Sequence, residues 1–163
     1  MENTFELLPD TSRIWIYQCD RVLDEHEEQA ILSNAVRFAK TWSAHGDDLH
    51  AGAAIFHHQF LILSVNEEAN GASGCSIDKL FRFIQELENT YDTRWLDRNK
   101  LAFYIDNKVR LSPITELKSE IDKGTITKDT LIFNNLVDRK GDLEDKWIIP
   151  SKDSWIKKYF TAN

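Results

Sequence analysis

Residues 53–65, Ala53-Ala54-Ile55-Phe56-His57-His58-Gln59-Phe60-Leu61-Ile62-Leu63-Ser64-Val65, decide the fold. They hold two short apolar runs, 53–56 and 60–65, and the spacer His57-His58-Gln59 is short enough for a β-hairpin although it lacks Asn-Gly or Asp-Gly. Upstream, residues 13–18 (RIWIYQ) are β-branched and aromatic and read as a strand. Asp24 then opens an acidic stretch, Glu25, Glu27 and Glu28, which suits the positive end of a helix. Ile31, Ala35, Phe38 and Trp42 follow at helical spacing, so this helix ends near Thr41 with Gly46 in the loop beyond. Downstream, residues 66–74 form a Gly/Asn/Ser-rich loop. Ile77, Leu80, Phe81, Ile84, Leu87 and Tyr91 then mark a second amphipathic helix. Residues 101–105 read as a fourth strand, Asp106-Asn107 as a turn, and 109–111 as a short fifth strand.

The resulting order is β-α-β-β-α-β. It predicts an α+β fold of ferredoxin-like type over residues 1–111: one antiparallel sheet with two helices on one face. Residues 112–163 read as a mainly helical C-terminal extension. It has a helix over 113–122 (Ile114, Leu117, Ile121) ending at Gly124, a strand or helical turn at 131–133, and short helices at 143–147 and 153–160 divided by Pro150. No Pro/Gly/Ser linker separates the two parts, so the extension is expected to pack on the first part within a single structural domain.

Strand alternation puts Ile14 and Ile16 on one face and Trp15 and Tyr17 on the other; in 60–65, Leu61, Leu63 and Val65 oppose Phe60 and Ile62. Both faces are apolar, whereas two helices cover one. The second face needs a cover. Either the aromatic residues of the extension supply it (Phe133, Trp147, Trp155, Tyr159, Phe160), or a second copy does, as a homodimer through that face. The Trp147 and Trp155 pair reads as core rather than as a ligand box.

Composition narrows the function classes. The chain has 163 residues, 20 Lys plus Arg against 27 Asp plus Glu, and a formal net charge of −7. Hydrophobic residues make up 42% and charged residues 29%, which excludes disorder and a collagen-like repeat. A general nucleic-acid binder needs the opposite charge. Trp15 and Tyr17 could stack bases, but strand 60–65 offers no basic residue, so no nucleic-acid partner is expected. No apolar run approaches the roughly 20 residues of a membrane span, and residues 1–9 carry Glu2 and Glu6 without a basic segment. No membrane partner and a cytoplasmic location are expected. The two cysteines, Cys19 and Cys75, form no CxxC, so they are expected to stay reduced.

Two clusters can carry chemistry. The first is Gly74-Cys75-Ser76-Ile77-Asp78, at the start of the second helix. Ser76 reads as the N-cap, Asp78 suits the dipole, and Gly71 and Gly74 allow close backbone approach. Cys75 then lies just before the first turn, where free N–H groups favour a thiolate. The bland alternative is a small buried cysteine beside ordinary capping residues. The second cluster is Trp42-Ser43-Ala44-His45-Gly46-Asp47-Asp48-Leu49-His50, in which His45 can serve as a general base. Its bland alternative is a polar turn with a hydrogen-bonded histidine. His45, Asp47 and His50 are too loosely spaced for a metal, and no metal is expected.

In a β-α-β-β-α-β path both clusters lie at the same end of the sheet. That makes Cys75 and His45 the candidate reacting pair and Trp42, Gly46, Gly74, Ser76 and Asp78 the candidate ligand-binding residues. Cys19, His57 and His58 fall at the opposite end, which disfavours a Cys19–Cys75 disulfide and a four-histidine metal site. The chain has neither GxxxxGK[ST] nor GxGxxG, so no nucleotide cofactor is expected, and no other cofactor is implied.

The segments RIWIYQ (13–18), Trp42-x-Ala44-His45-Gly46, Gly74-Cys75-Ser76-Ile77-Asp78, Phe133-Asn134-Asn135-Leu136-Val137 and Ser154-Trp155 resemble a family of proteins of this length from Bacteroidetes bacteria. The resemblance covers nearly the whole chain, extension included. Members often carry the label ABC transporter ATPase, which these residues contradict: there is no Walker motif and no LSGGQ-like signature. The resemblance implies a bacterial cytosolic protein and supplies no catalytic assignments. With no complete catalytic set, the sequence reads first as a non-catalytic binding or assembly module for a small anion or a protein partner. The alternative is a small Cys/His enzyme or a sensor of an anionic metabolite, built at residues 74–78.

Overall fold

The computed structural model describes residues 4–68 and 70–161. Residues 1–3, with the Glu2 of the N-terminal reading, and Ala69 of the 66–74 loop lie outside them. The chain is α+β with antiparallel sheets and divides into two compact units, residues 1–96 with 138–141, and residues 97–137 with 142–163.

The first unit is built on strands β1 (Arg13–Gln18), β4 (His50–Phe56) and β5 (Phe60–Asn66), in the spatial order β1-β5-β4. Helix α1 (Glu25–Thr41) connects β1 to a two-residue hairpin, β2 (Ser43–Ala44) and β3 (Asp47–Asp48). Helix α2 (Gly74–Tyr91) follows β5. Asp24 caps α1 in a reciprocal box with Glu27, as the acidic stretch predicts. The three-residue loop between β4 and β5 turns with His57 and His58 both at positive φ (51° and 53°), the job Asn and Gly usually do.

Register places Trp15, Tyr17, Leu61, Leu63, Val65 and Ala53 on one face of the sheet. There they share a core with Ile31, Ala35, Val36 and Ala39 of α1 and Leu80, Ile84 and Leu87 of α2. Two helices on one face is the arrangement the sequence predicts. The other face carries Ile14, Ile16, Phe60 and Ile62. A cover that the sequence reading did not include lies on it: the 3-10 turn Phe5–Leu7. Phe5 packs edge-on against Phe56, and its backbone crosses directly over Gly52. Thr4 Oγ1 donates to Ala51 O at 2.6 Å.

The fourth expected strand does not join this sheet. The free edge of β1 is taken instead by residues 138–141: Ile14 N donates to Asp138 O, and Lys140 N to Ser12 O. Arg13 and Arg139 face each other in an antiparallel bridge. The expected fourth strand, β6 (Lys100–Ile105), pairs with β7 (Lys108–Pro113) on one side and β8 (Leu131–Phe133) on the other. The division between units therefore falls after residue 96 rather than after 111, because β6 and β7 are held as a hairpin and stay together. Its turn is Asp106-Asn107, as expected, with both residues at positive φ.

In the second unit the sheet order is β7-β6-β8-β9, where β9 (Ile148–Pro150) is a strand the sequence reading missed. Helices α3 (Leu117–Asp122) and α4 (Leu143–Lys146) are short, and residues 155–160 form a 3-10 helix. Phe103, Leu117, Ile126, Ile132 and Ile156 make the core. Glu120 is buried beside them, accepting from Arg110 and Ser112. Phe133 packs edge-on with Tyr104 and with Trp147, and Trp155 with Tyr159, so these aromatics of the extension have partners inside their own unit. Among the described residues no helix is long and apolar enough to cross a membrane.

Candidate functional site

The two sequence clusters meet at one end of the first unit. Trp42 is 1% exposed and its indole Nε1 donates to Ser76 O at 2.8 Å. Next to it, Lys79 Nζ donates to Ser43 Oγ at 3.1 Å and lies 3.4 Å from Ser43 O. The hairpin that carries His45 is thus fastened to the first turns of α2, which carry Cys75.

The individual roles differ from those expected. The N-cap of α2 is Ser73, not Ser76. Ser76 is the third helical residue, and its hydroxyl is spent on the cap: it accepts from Ser73 N at 2.7 Å and donates to Ser73 O at 2.8 Å. Buried and doubly bonded, it has no group to offer a ligand. Because the helix starts at Gly74, Cys75 lies inside the first turn instead of before it, and it is an exposed free thiol rather than a buried one. Asp78 lies a turn farther in, and the first turn holds no acidic residue. Gly74 has open space where a Cβ would be, so its smallness is not needed for packing. Trp42 is core, with its one polar atom satisfied, and presents nothing to solvent.

His45 and Gly46 are the two turn residues between β2 and β3, at φ 53° and 90°. A tight hairpin requires positive φ at both, which a histidine tolerates and a glycine supplies. His45 is exposed, and among the described residues neither its side chain nor that of Cys75 has a hydrogen bond or ion pair. Chain path does bring the two segments together, but among the described residues no third side chain orients either group. Among the described residues no three His, Cys, Asp or Glu side chains gather to hold a metal ion.

Cys19 is buried, and burial pushes its thiol up to about 11, far from reactivity at neutral pH. At that opposite end His58 Nδ1 lies 2.6 Å from Glu28 Oε2, and burial lowers the pKa of His57. Arg21 grips Glu27 through two bonds of 2.7 and 2.6 Å, which hold that carboxyl down at about 2. Between α1 and α2 runs a groove of about 380 Å³. Its floor is Phe38 stacked on Phe83 at 4.4 Å, with Arg37 and Glu86 on its walls.

Sequence reasoning missed one cluster. Arg13 lies 4.6 Å over the ring of Trp15, with its Nη1 3.6 Å from Glu67 Oε1. Arg139 Nη1 is 3.9 Å from the other oxygen of the same carboxylate. Nothing in the sequence links Arg139 to Arg13, since residues 138–141 reach β1 only through tertiary pairing. The one local signal was an arginine two residues before a tryptophan on a strand, which puts both on one face.

Comparison with protein-family models, curated proteins and solved structures gives no match in any of the three.

Proposed function

We propose that this chain is a non-catalytic binding module. The observation that carries the reading is the state of the two candidate reacting groups. Cys75 and His45 are both exposed, and neither is bonded to the other or to an orienting partner among the described residues. A nucleophile works when a base sits within hydrogen-bond reach and is itself aligned by a third group. What joins their two segments is a buried indole–carbonyl bond, Trp42 to Ser76, and the bond from Lys79 to Ser43, which brace the loops and perform no chemistry.

The three-stranded order β1-β5-β4 supports a ferredoxin-like ancestry, with residues 138–141 standing in for the fourth strand. Membership of the Bacteroidetes family and a cytoplasmic location belong to the same proposal. A homodimer through the second sheet face is left out of it, because Ile14, Phe60 and Ile62 are already buried within the single chain, at 3%, 0% and 0% exposure. The decisive experiment is the rate at which iodoacetamide alkylates Cys75 at pH 7. A rate equal to that of a free thiol is expected. A rate about tenfold or more above it, abolished by His45→Ala, would overturn the module reading in favour of a Cys/His enzyme.

A further inference from the structure

Arg13 and Arg139 stand opposite each other on an antiparallel bridge. Like charges in directly opposed positions destabilise a sheet, so the pair needs an anion. Among the described residues the pair meets one carboxylate, Glu67, and meets it poorly. Its oxygens stop 3.6 Å from Arg13 and 3.9 Å from Arg139, while Oε1 accepts the amide of Ala72 at 3.2 Å. Charge-assisted pairs close to about 2.7–2.9 Å when both partners are free to do so. The same chain shows this at Arg21 and Glu27, with bonds of 2.7 and 2.6 Å.

The two guanidiniums keep most of their donors unused. The Arg13 side chain makes no hydrogen bond among the described residues, and Arg139 spends one nitrogen on Thr11 O at 3.2 Å. Each has one anchor all the same: Arg13 the face of Trp15, Arg139 the bond from Nη1 to Thr11 O. Their side chains are 36% and 47% exposed, open to a solute. In a chain of net charge −7 the two arginines and Glu67 make a local formal charge of +1.

We propose that Arg13 and Arg139 bind the phosphate group of a small ligand, with Glu67 as the internal anion that the ligand displaces. The class follows from charge. Two guanidiniums opposite one monoanion leave a positive excess, and another carboxylate would only repeat what Glu67 does. A dianionic phosphate neutralises the pair and presents enough oxygens for both forks. This names the ligand class of the binding-module reading and rests on it. The two fail separately, since that reading is tested at Cys75 and this one at the arginines.

The test is titration with inorganic phosphate at constant ionic strength, balanced by sodium chloride. It is read by tryptophan fluorescence, for which Trp15 is the local reporter, and by thermal midpoint. Wild type should show a saturable response that acetate and chloride do not give. Arg139→Gln should weaken the apparent affinity about tenfold or more. Glu67→Gln, which can still accept the Ala72 amide, should strengthen it severalfold by removing the competitor. A folding defect cannot imitate that gain. If phosphate moves neither wild type nor Glu67→Gln beyond matched chloride, or moves Arg139→Gln equally, the site is refuted and the three residues are an ordinary surface ion-pair network.

Discussion

Gly52→Ala tests how the second sheet face is covered. A Cβ built on Gly52 would lie 2.5 Å from Phe5 N, 2.7 Å from Phe5 Cα and 3.1 Å from Thr4 C. These are backbone atoms, so no rotamer change relieves the clash. The segment 4–8 must lift by about 1 Å or detach, since ordinary contact with carbon begins near 3.4 Å. Lifting it breaks the bond from Thr4 Oγ1 to Ala51 O, about 1 kcal/mol. It also exposes Phe5, now 2% accessible, at a further cost of about 1.5–3 kcal/mol. Against this, alanine restricts the unfolded chain and returns about 0.4–1 kcal/mol. The net loss is about 2–3 kcal/mol, which lowers the urea midpoint by about 1 M. Limited proteolysis should cut within residues 4–8 in the variant and not in the wild type. An unchanged midpoint with unchanged protease resistance would refute the placement of Phe5 over Gly52. Gly74→Ala is the control: nothing lies within 4 Å of its Cβ position, so stability should hold or rise slightly.

Other expectations follow from the caps and the titrating groups. Ser73→Ala removes the N-cap of α2 and should cost about 1 kcal/mol by urea unfolding. Trp42→Phe leaves Ser76 O without its indole donor and opens a gap against Trp15 and Phe38, for a loss of about 1–3 kcal/mol; a neutral result would remove the brace between the two loops. Arg21 depresses the Glu27 carboxyl to about 2 in the folded state. The stability it contributes is therefore complete above the ordinary carboxylate value and is lost as pH falls through about 2. Comparing wild type with Glu27→Gln between pH 6 and pH 2 should show the difference shrink with acid, from about 1 kcal/mol because Arg21 is partly solvated. Finally, Ellman's reagent should titrate one thiol in the native protein, Cys75, and a second, Cys19, only after denaturation.

The local elements of the first unit were legible because each is encoded by neighbours in the chain. Asp24 with Glu27 announces α1; the spacing of Leu80, Ile84 and Leu87 announces α2; and 60–65 reads as a strand buried on both faces. The start of α2 was misplaced by a few residues because Ser73 and Ser76 are equally good caps by composition, and three-dimensional bonding alone selects Ser73. The hairpin at His45 was not recognised, since His-Gly is not a usual two-residue turn and the flanking strands are two residues each. The pairing of the two clusters follows from topology, but Trp42 and Ser76, ligand-binding candidates by sequence, are buried structure.

Sequence alone determined that the chain builds α+β units with antiparallel strands, that two helices share one sheet face, and that the opposite face needs a cover. Periodicity and capping act over a few residues and survive without knowledge of the rest. Only the tertiary structure decided which strand belongs to which sheet, what lies over Gly52, and that Arg139 comes to Arg13. Those outcomes depend on competition for one strand edge. Residues 138–141 take the edge of β1 while β6 stays with β7 and β8, and nothing local in either segment reveals which partner it will take.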